Sequence, residues 1–108
     1  MALIVREYVR ADGVNPYRAW FDRLDAQAAA KVATATVRME TGNTSNVKWI
    51  GGIGEYRIDW GPGYRVYYAM IGRECVLLLC GGDKRKQSAD IERALEYFRD
   101  YKERSGTS

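Results

Sequence analysis

The chain contains no histidine, and only two cysteines and two prolines, among its 108 residues. The missing histidine removes Ser–His and Cys–His nucleophile pairs and the ordinary His-containing zinc sites. Any proton transfer falls to Lys, Tyr, Asp, Glu, Arg or water, and neither a metal nor a cofactor is implied. No apolar run approaches the ~20 residues that a membrane-spanning helix needs. The stretch Met1–Arg10 carries charges at Arg6 and Glu7 and lacks the apolar block and cleavage site of a signal peptide. The cytoplasm is therefore the expected location, with no membrane partner. Cys75 and Cys80 are five residues apart in one predicted strand, which places them on opposite faces, unable to pair. Both read as small buried hydrophobes rather than as metal or redox groups.

What is present is ordinary for a globular protein: 46% hydrophobic and 29% charged residues. The length suits a single domain over 1–108 with a modest core. Net charge is +3, which says little, but its distribution says more. Residues 1–46 balance six basic against five acidic groups, whereas Lys48, Arg57, Arg65 and the consecutive Lys84-Arg85-Lys86 lie beyond them. A localised anion-binding surface and a solvated charged face are both open readings.

Alternation over Leu3–Val9 predicts a first strand. Asn15-Pro16 opens a helix over 16–24, and Asp25 caps a second over Ala26–Glu40, ended by Gly42. Residues 43–47 read as polar loop and 49–54 as a glycine-broken stretch. Three strands follow, Glu55–Trp60, Tyr64–Ile71 and Cys75–Cys80, joined by Gly61-Pro62-Gly63 and Gly72-Arg73, an antiparallel meander. Gly81-Gly82 ends the sheet, Ser88 or a residue near it caps a last helix striped by Ile91, Ala94, Leu95 and Phe98, and 104–108 look frayed. The expected class is α+β, in the order β-α-α-β-β-β-α, with a curved, mainly antiparallel sheet and helices against one face.

Alternation also groups the candidate site. Arg57 shares a strand face with Glu55 and Asp59, and Arg65 shares one with Tyr67. If the opposite faces cover the core, Arg57, Arg65 and Tyr67 line an exposed concave side. The alternative is that the arginines merely pair with Glu55 and Asp59 across strands. Lys84, Arg85 and Lys86 stand just before the last helix, where the helix dipole is already positive. With the backbone of Gly81-Gly82 beside them, that spot suits phosphate, against the alternative of a solvated turn.

The runs Gly54-Glu55-Tyr56-Arg57-Ile58-Asp59, Gly63-Tyr64-Arg65-Val66-Tyr67-Tyr68 and Cys80-Gly81-Gly82-Asp83-Lys84, with Gln87 and Asp90-Ile91, resemble the addiction-module killer proteins. These form the HigB-like branch of the RelE/ParE toxin superfamily, and the resemblance spans about 3–100. It implies a RelE-like fold and a type II toxin–antitoxin module. It further implies cleavage of mRNA, usually on the ribosome, by promoting attack of a 2′-OH on the adjacent phosphate. Residue by residue, Arg65 matches the arginine after Gly-Tyr and would stabilise the pentacoordinate phosphate. Lys84, with Arg85 as the alternative, matches the basic residue after Gly-Gly, and Arg57 corresponds to a basic residue on the preceding strand. Tyr67 would stack a base or assist proton transfer, while Lys48, Arg85 and Lys86 would hold RNA. The implied partners are a HigA-like, DNA-binding antitoxin, mRNA and the ribosome. The antitoxin contact is expected on the exposed sheet face and on the aromatics of Tyr17–Phe21 and Tyr97–Tyr101. The ParE-like alternative is binding to DNA gyrase without cleavage. This chain departs from RelE in having acidic neighbours around Arg57 and no tyrosine at Asp90 or Ile91, so no general base is assigned.

Overall fold

In the computed structural model, which describes residues 2–43 and 47–106, local capping sets the helical hairpin. Helix α1 (Pro16–Phe21) begins at Asn15, whose side chain accepts from the Arg18 amide, with proline at the first helical position. It is shorter than the 16–24 expected, and Leu24 lies in the turn that follows. Helix α2 (Ala26–Glu40) begins at Asp25, which accepts from the Ala28 amide at 2.8 Å. Ala28, Val32, Ala35 and Met39 recur at helical spacing and form its buried stripe. Gly42, at φ +80°, takes the left-handed position just past the helix end.

The sheet has five strands: β1 (Ile4–Glu7), β2 (Val47–Ile50), β3 (Ile53–Ile58), β4 (Tyr64–Ile71) and β5 (Cys75–Gly82). Their spatial order is β1-β5-β4-β3-β2, with β1 parallel to β5 and the other neighbours antiparallel. The protein is thus α+β with a mixed sheet, and three α-helices are present among the described residues, the last being α3 (Gln87–Arg104). Strand β2 was not expected. It is a four-residue edge strand that returns to β3 through Gly51-Gly52, at φ +57° and +93°, a turn chemistry that suits a tight hairpin. The loop expected at 43–47 falls mainly on residues 44–46, outside the described residues; of the frayed end expected at 104–108, Arg104 is still helical and 107–108 lie outside.

Helices cover both faces of the sheet rather than one. On one side α1 and α2 pack Tyr17, Val32, Ala35 and Met39 against Tyr56, Val66, Tyr68, Val76 and Leu78. On the other, α3 packs Ala94, with Ile91, Leu95 and Phe98 beside it, against Ile53, Tyr67, Ala69, Leu77 and Leu79. The reason lies in β4 and β5, whose alternating positions are apolar or aromatic in both registers, the mark of a strand buried on both sides. The aromatics expected at a partner contact are partly drawn into the two cores. Tyr17 is buried, while Trp20, Phe21, Tyr97 and Tyr101 pack against the two cores.

Strand β5 carries an irregularity that the sequence did not announce. Tyr67 stands opposite Cys80 and Tyr68 opposite Leu78, which leaves Leu79 as an extra residue. Beyond it the alternation inverts. Cys80 therefore packs in the α3-side core with Leu77 and Leu79, and by alternation Cys75 takes that side too, not the opposite one. Burial pushes the Cys80 thiol up to about 12, which suits an inert core cysteine. The same inversion turns Gly81 toward α1 and Gly82 toward α3. A Cβ on Gly81 would meet Trp20 Cε3 at 2.2 Å, and one on Gly82 would meet the Asp90 carboxylate at 1.9 Å. Both glycines are strand residues, paired with Val66 and Arg65, so they serve close packing and not an open phosphate cradle.

Gly81→Ala should therefore cost about 1–3 kcal/mol, as overpacking does. That lowers Tm by roughly 4–8 °C for each kcal/mol in a domain of this size. Thermal unfolding of Gly81→Ala, alone and with Trp20→Leu, checks this: partial recovery in the double variant is expected, and an unchanged Tm in the single one would refute the packing role.

Candidate functional site

Arg57 and Arg65 stand directly opposite each other on β3 and β4. Like charges in that relation repel, and the structure relieves them with one carboxylate. Glu55, fully buried, lies 3.5 Å from Arg57 Nε through Oε1 and 3.6 Å from Arg65 Nε through Oε2. These are ionic contacts without hydrogen bonds, because Glu55 Oε1 and Arg65 Nε find no hydrogen-bond partner. Hydrogen bonds reach Oε2 instead, from the Tyr67 hydroxyl at 3.0 Å and from Gln87 Nε2 at 2.9 Å. Glu55 thus joins β3, β4 and the first residue of α3.

The arginines differ in freedom. Arg65 has a side chain only 11% exposed, anchored by donation from Nη1 to the Gly63 carbonyl at 2.7 Å. Arg57 is nearly half exposed. A guanidinium offers five N–H groups, so the anchoring of Arg65 leaves donors for a bound anion in a fixed orientation.

Lys84 completes the cluster from a third segment. Asp83 accepts from the Arg85 amide at 2.9 Å and starts a 3-10 turn over Lys84–Lys86 that runs straight into α3. Ser88 is inside the helix and does not cap it; the position before Gln87 is Lys86, without a capping side chain. The turn brings Lys84 beside Gly63, and Arg57, Arg65 and Lys84 together line one depression of about 460 Å³ with Asp59, Trp60 and Gly63. On the other side of the depression β3 ends at Ile58, earlier than expected, and Trp60 enters the loop, its amide donating to the Ile58 carbonyl at 2.8 Å.

Four expected members are not part of this cluster. Tyr67 is not on an exposed face: it is fully buried on the α3 side. Burial, and next the Glu55 carboxylate, push its phenol far above the usual tyrosine range. It can neither stack a base from solvent nor exchange a proton near neutral pH. Lys48 lies on the edge strand opposite Glu55 and does not line the depression. Arg85 is turned to Asp83 at 3.3 Å, and Lys86 stays exposed on the same turn. The residues missed from sequence are Glu55 as the shared counter-ion and Gln87 as its donor. From sequence Glu55 reads only as an ordinary cross-strand partner, and the register that makes it common to both arginines is the missing signal.

A depression of similar size, about 480 Å³, lies near Tyr8, Arg10, Arg93 and Asp100. Both of its arginines are paired, Arg10 with Asp12 at 2.9 Å and Arg93 with Asp90 at 2.8 Å, and Asp12, Glu96 and Asp100 make it largely acidic. The cationic depression is the stronger candidate for an anion.

The fold and site together define an α+β protein with a histidine-free cationic cleft. No protein-family model matches the chain. It is 41% identical over 80 residues to an uncharacterized protein of Haemophilus influenzae, a match covering 72% of this chain and 81% of that protein. The chain belongs to the same family as that protein. No helix among the described residues is long and apolar enough to cross a membrane.

Removing the shared counter-ion should expose the arginine repulsion. Glu55→Gln is expected to destabilise by about 1–3 kcal/mol, as loss of a buried charged acceptor does. In an Arg57→Gln background the loss should shrink by at least about 0.5 kcal/mol, a coupling energy typical of contacting residues. Urea unfolding of the four proteins in that cycle measures it, and strict additivity would mean that Glu55 does not mediate between the strands.

Proposed function

We propose that this protein is a toxin of the RelE/ParE superfamily, of the HigB-like kind, which cleaves mRNA on the ribosome and is restrained by an antitoxin. The observation that carries this reading is the convergence of Arg57, Arg65 and Lys84, from β3, β4 and the turn before α3, on one depression. Cleavage by an adjacent 2′-OH adds negative charge to a phosphate as the pentacoordinate state forms. Cations already held in place stabilise that charge without reorganising, commonly the largest catalytic contribution. Arg65, anchored by Gly63, grips two non-bridging oxygens; Arg57 and Lys84 neutralise the remainder. Histidine is not needed for this part of the chemistry.

The finer fold assignment belongs to the same proposal. A helical hairpin between β1 and the meander, followed by a C-terminal helix, supports a RelE-like arrangement, extended here by β2. The proposed partners are mRNA, the ribosome and a HigA-like DNA-binding antitoxin, all in the cytoplasm. Because both sheet faces are covered, the antitoxin would meet the rim of the cationic depression rather than an open sheet.

Induced expression should arrest translation, with cleaved mRNA visible by primer extension. Arg65→Ala should abolish both, with a rate loss of roughly 10²–10³, and Arg65→Lys should restore only part, since an ammonium cannot form the two-pronged contact. Because Arg65 also faces the buried Glu55, the alanine variant should lose Tm as well, so cleavage is compared at a temperature where circular dichroism shows both proteins folded; a loss of cleavage that only tracks unfolding would remove Arg65 from the site. Gyrase-linked DNA breaks with intact mRNA would replace this reading with the ParE-like one, and unchecked growth would end both.

A further inference from the structure

The cationic depression is not isolated. A second one, about 270 Å³, adjoins it and is lined by Lys31, Thr34 and Arg38 of α2. The two share a wall made of Arg57, Ile58, Asp59 and Trp60. Along this path the order of chemistry is cationic, aromatic, cationic: Lys84, Arg65 and Arg57, then Trp60, then Lys31 and Arg38. No ion pair engages Lys31, Arg38 or Lys84 among the described residues, and all three side chains are exposed.

Trp60 is built as a platform. It leaves the strand into the β3–β4 loop and remains half-buried, stacked on Tyr64 with ring centroids 6.2 Å apart and planes inclined by 24°. Tyr64 is braced in turn, edge-on, by Trp20. Lys31 approaches the Trp60 ring at 5.8 Å, near the outer limit for a cation–π contact. That ring is approached by one flexible ammonium where a core residue would be packed, and the ammonium can move to a phosphate as a base arrives. Asp59 lines the same shared wall.

We propose that these two depressions form a track for single-stranded RNA, in which consecutive phosphates sit at the Arg57–Arg65–Lys84 and Lys31–Arg38 ends and the intervening base stacks on Trp60. The inference rests on the RNA reading above and adds a base-stacking site and a second phosphate site to it. Single strands are favoured over duplex because pairing and stacking within a duplex hide the base face that Trp60 requires. An acidic protein segment would use the cations but has no use for a stacking ring between them.

The test uses the full chain and a fluorescein-labelled, 2′-O-methyl hexanucleotide of mixed sequence, which cannot be cleaved by 2′-OH attack, with anisotropy read across salt concentrations. Trp60→Ala should weaken binding roughly 10-fold or more, as loss of one stacking partner does, and Trp60→Phe should keep most of it. Lys31→Ala with Arg38→Ala should lower the salt slope by about 1. Tm of each variant separates loss of binding from loss of fold. If Arg65→Ala weakens binding while Trp60→Ala and the Lys31, Arg38 pair leave it unchanged, the track fails and the phosphate site survives. Failure of the wild type to bind the oligonucleotide overturns both. A polyglutamate decamer bound with the same dependence on Trp60, Lys31 and Arg38 would assign the surface to acidic protein segments and overturn the proposal.

Discussion

A single buried carboxylate, Glu55, holds the cationic end of this protein together. Two guanidiniums directly opposite each other on adjacent strands would push β3 and β4 apart. A carboxylate buried without partners would be worse, since removing an ion from water costs several kcal/mol. Each problem answers the other: Glu55 reaches both arginines, and the Tyr67 hydroxyl and Gln87 amide satisfy its second oxygen. Two arginines share one carboxylate, so positive charge is left over; at the same depression Lys84 adds to it and Asp59 offsets part of it. The cluster is stable enough to fold and still unsatisfied enough to attract an anion. Tyr67 belongs to the supporting side of this arrangement: it orients the carboxylate and does not meet the solvent.

The geometry of the cluster depends on one inserted residue. Leu79 interrupts the β4–β5 ladder, so Gly81 and Gly82 face α1 and α3 in the inverted sense. A side chain at either place would collide with Trp20 or Asp90. The close approach lets α3 begin almost at the end of β5, which is why the turn carrying Lys84 sits beside Gly63 and Arg65. The glycines that resemble a phosphate loop in sequence thus act at one remove: they position the cations by packing, and their backbone is occupied in the sheet.

Much of this was legible without coordinates, and the exceptions share a cause. Local signals were sufficient for α2, whose Asp25 cap, apolar spacing and Gly42 stop all act within a few residues. They also singled out Arg65, just after the Gly61-Pro62-Gly63 turn, and Lys84, just after Gly81-Gly82. What escaped were features set by pairing between strands. The bulge at Leu79 moved Cys80 to the other face, because strict alternation assumes an uninterrupted ladder. Strand β2 went unread because four residues, Val47–Ile50, carry too little alternation, although Gly51-Gly52 marked the hairpin. The second helical layer was implied by the apolar run Cys75–Cys80, whose central-strand character already demands cover on both sides. Tyr67 differs from expectation for the same reason: the face it shares with Arg65 is covered by α3.

The absence of histidine acquires a physical meaning in this setting. Within the proposed reading, the depression offers Arg57, Arg65 and Lys84 as cations and Asp59 as its one carboxylate, and Tyr67 is withdrawn. Guanidiniums do not exchange protons near neutral pH, so the arginines contribute charge and orientation alone. A general base contributes typically about 10²–10⁴-fold, and each well-oriented electrostatic donor roughly 10²–10³. A site that gives up the first can still act through the second, provided the attacking hydroxyl is aligned with its phosphate. Alignment of a flexible single strand is costly in entropy, and a phosphate clamp alone does not fix the sugar. A ring beside the clamp, holding the neighbouring base, supplies that missing constraint, which is the role Trp60 has the position to play.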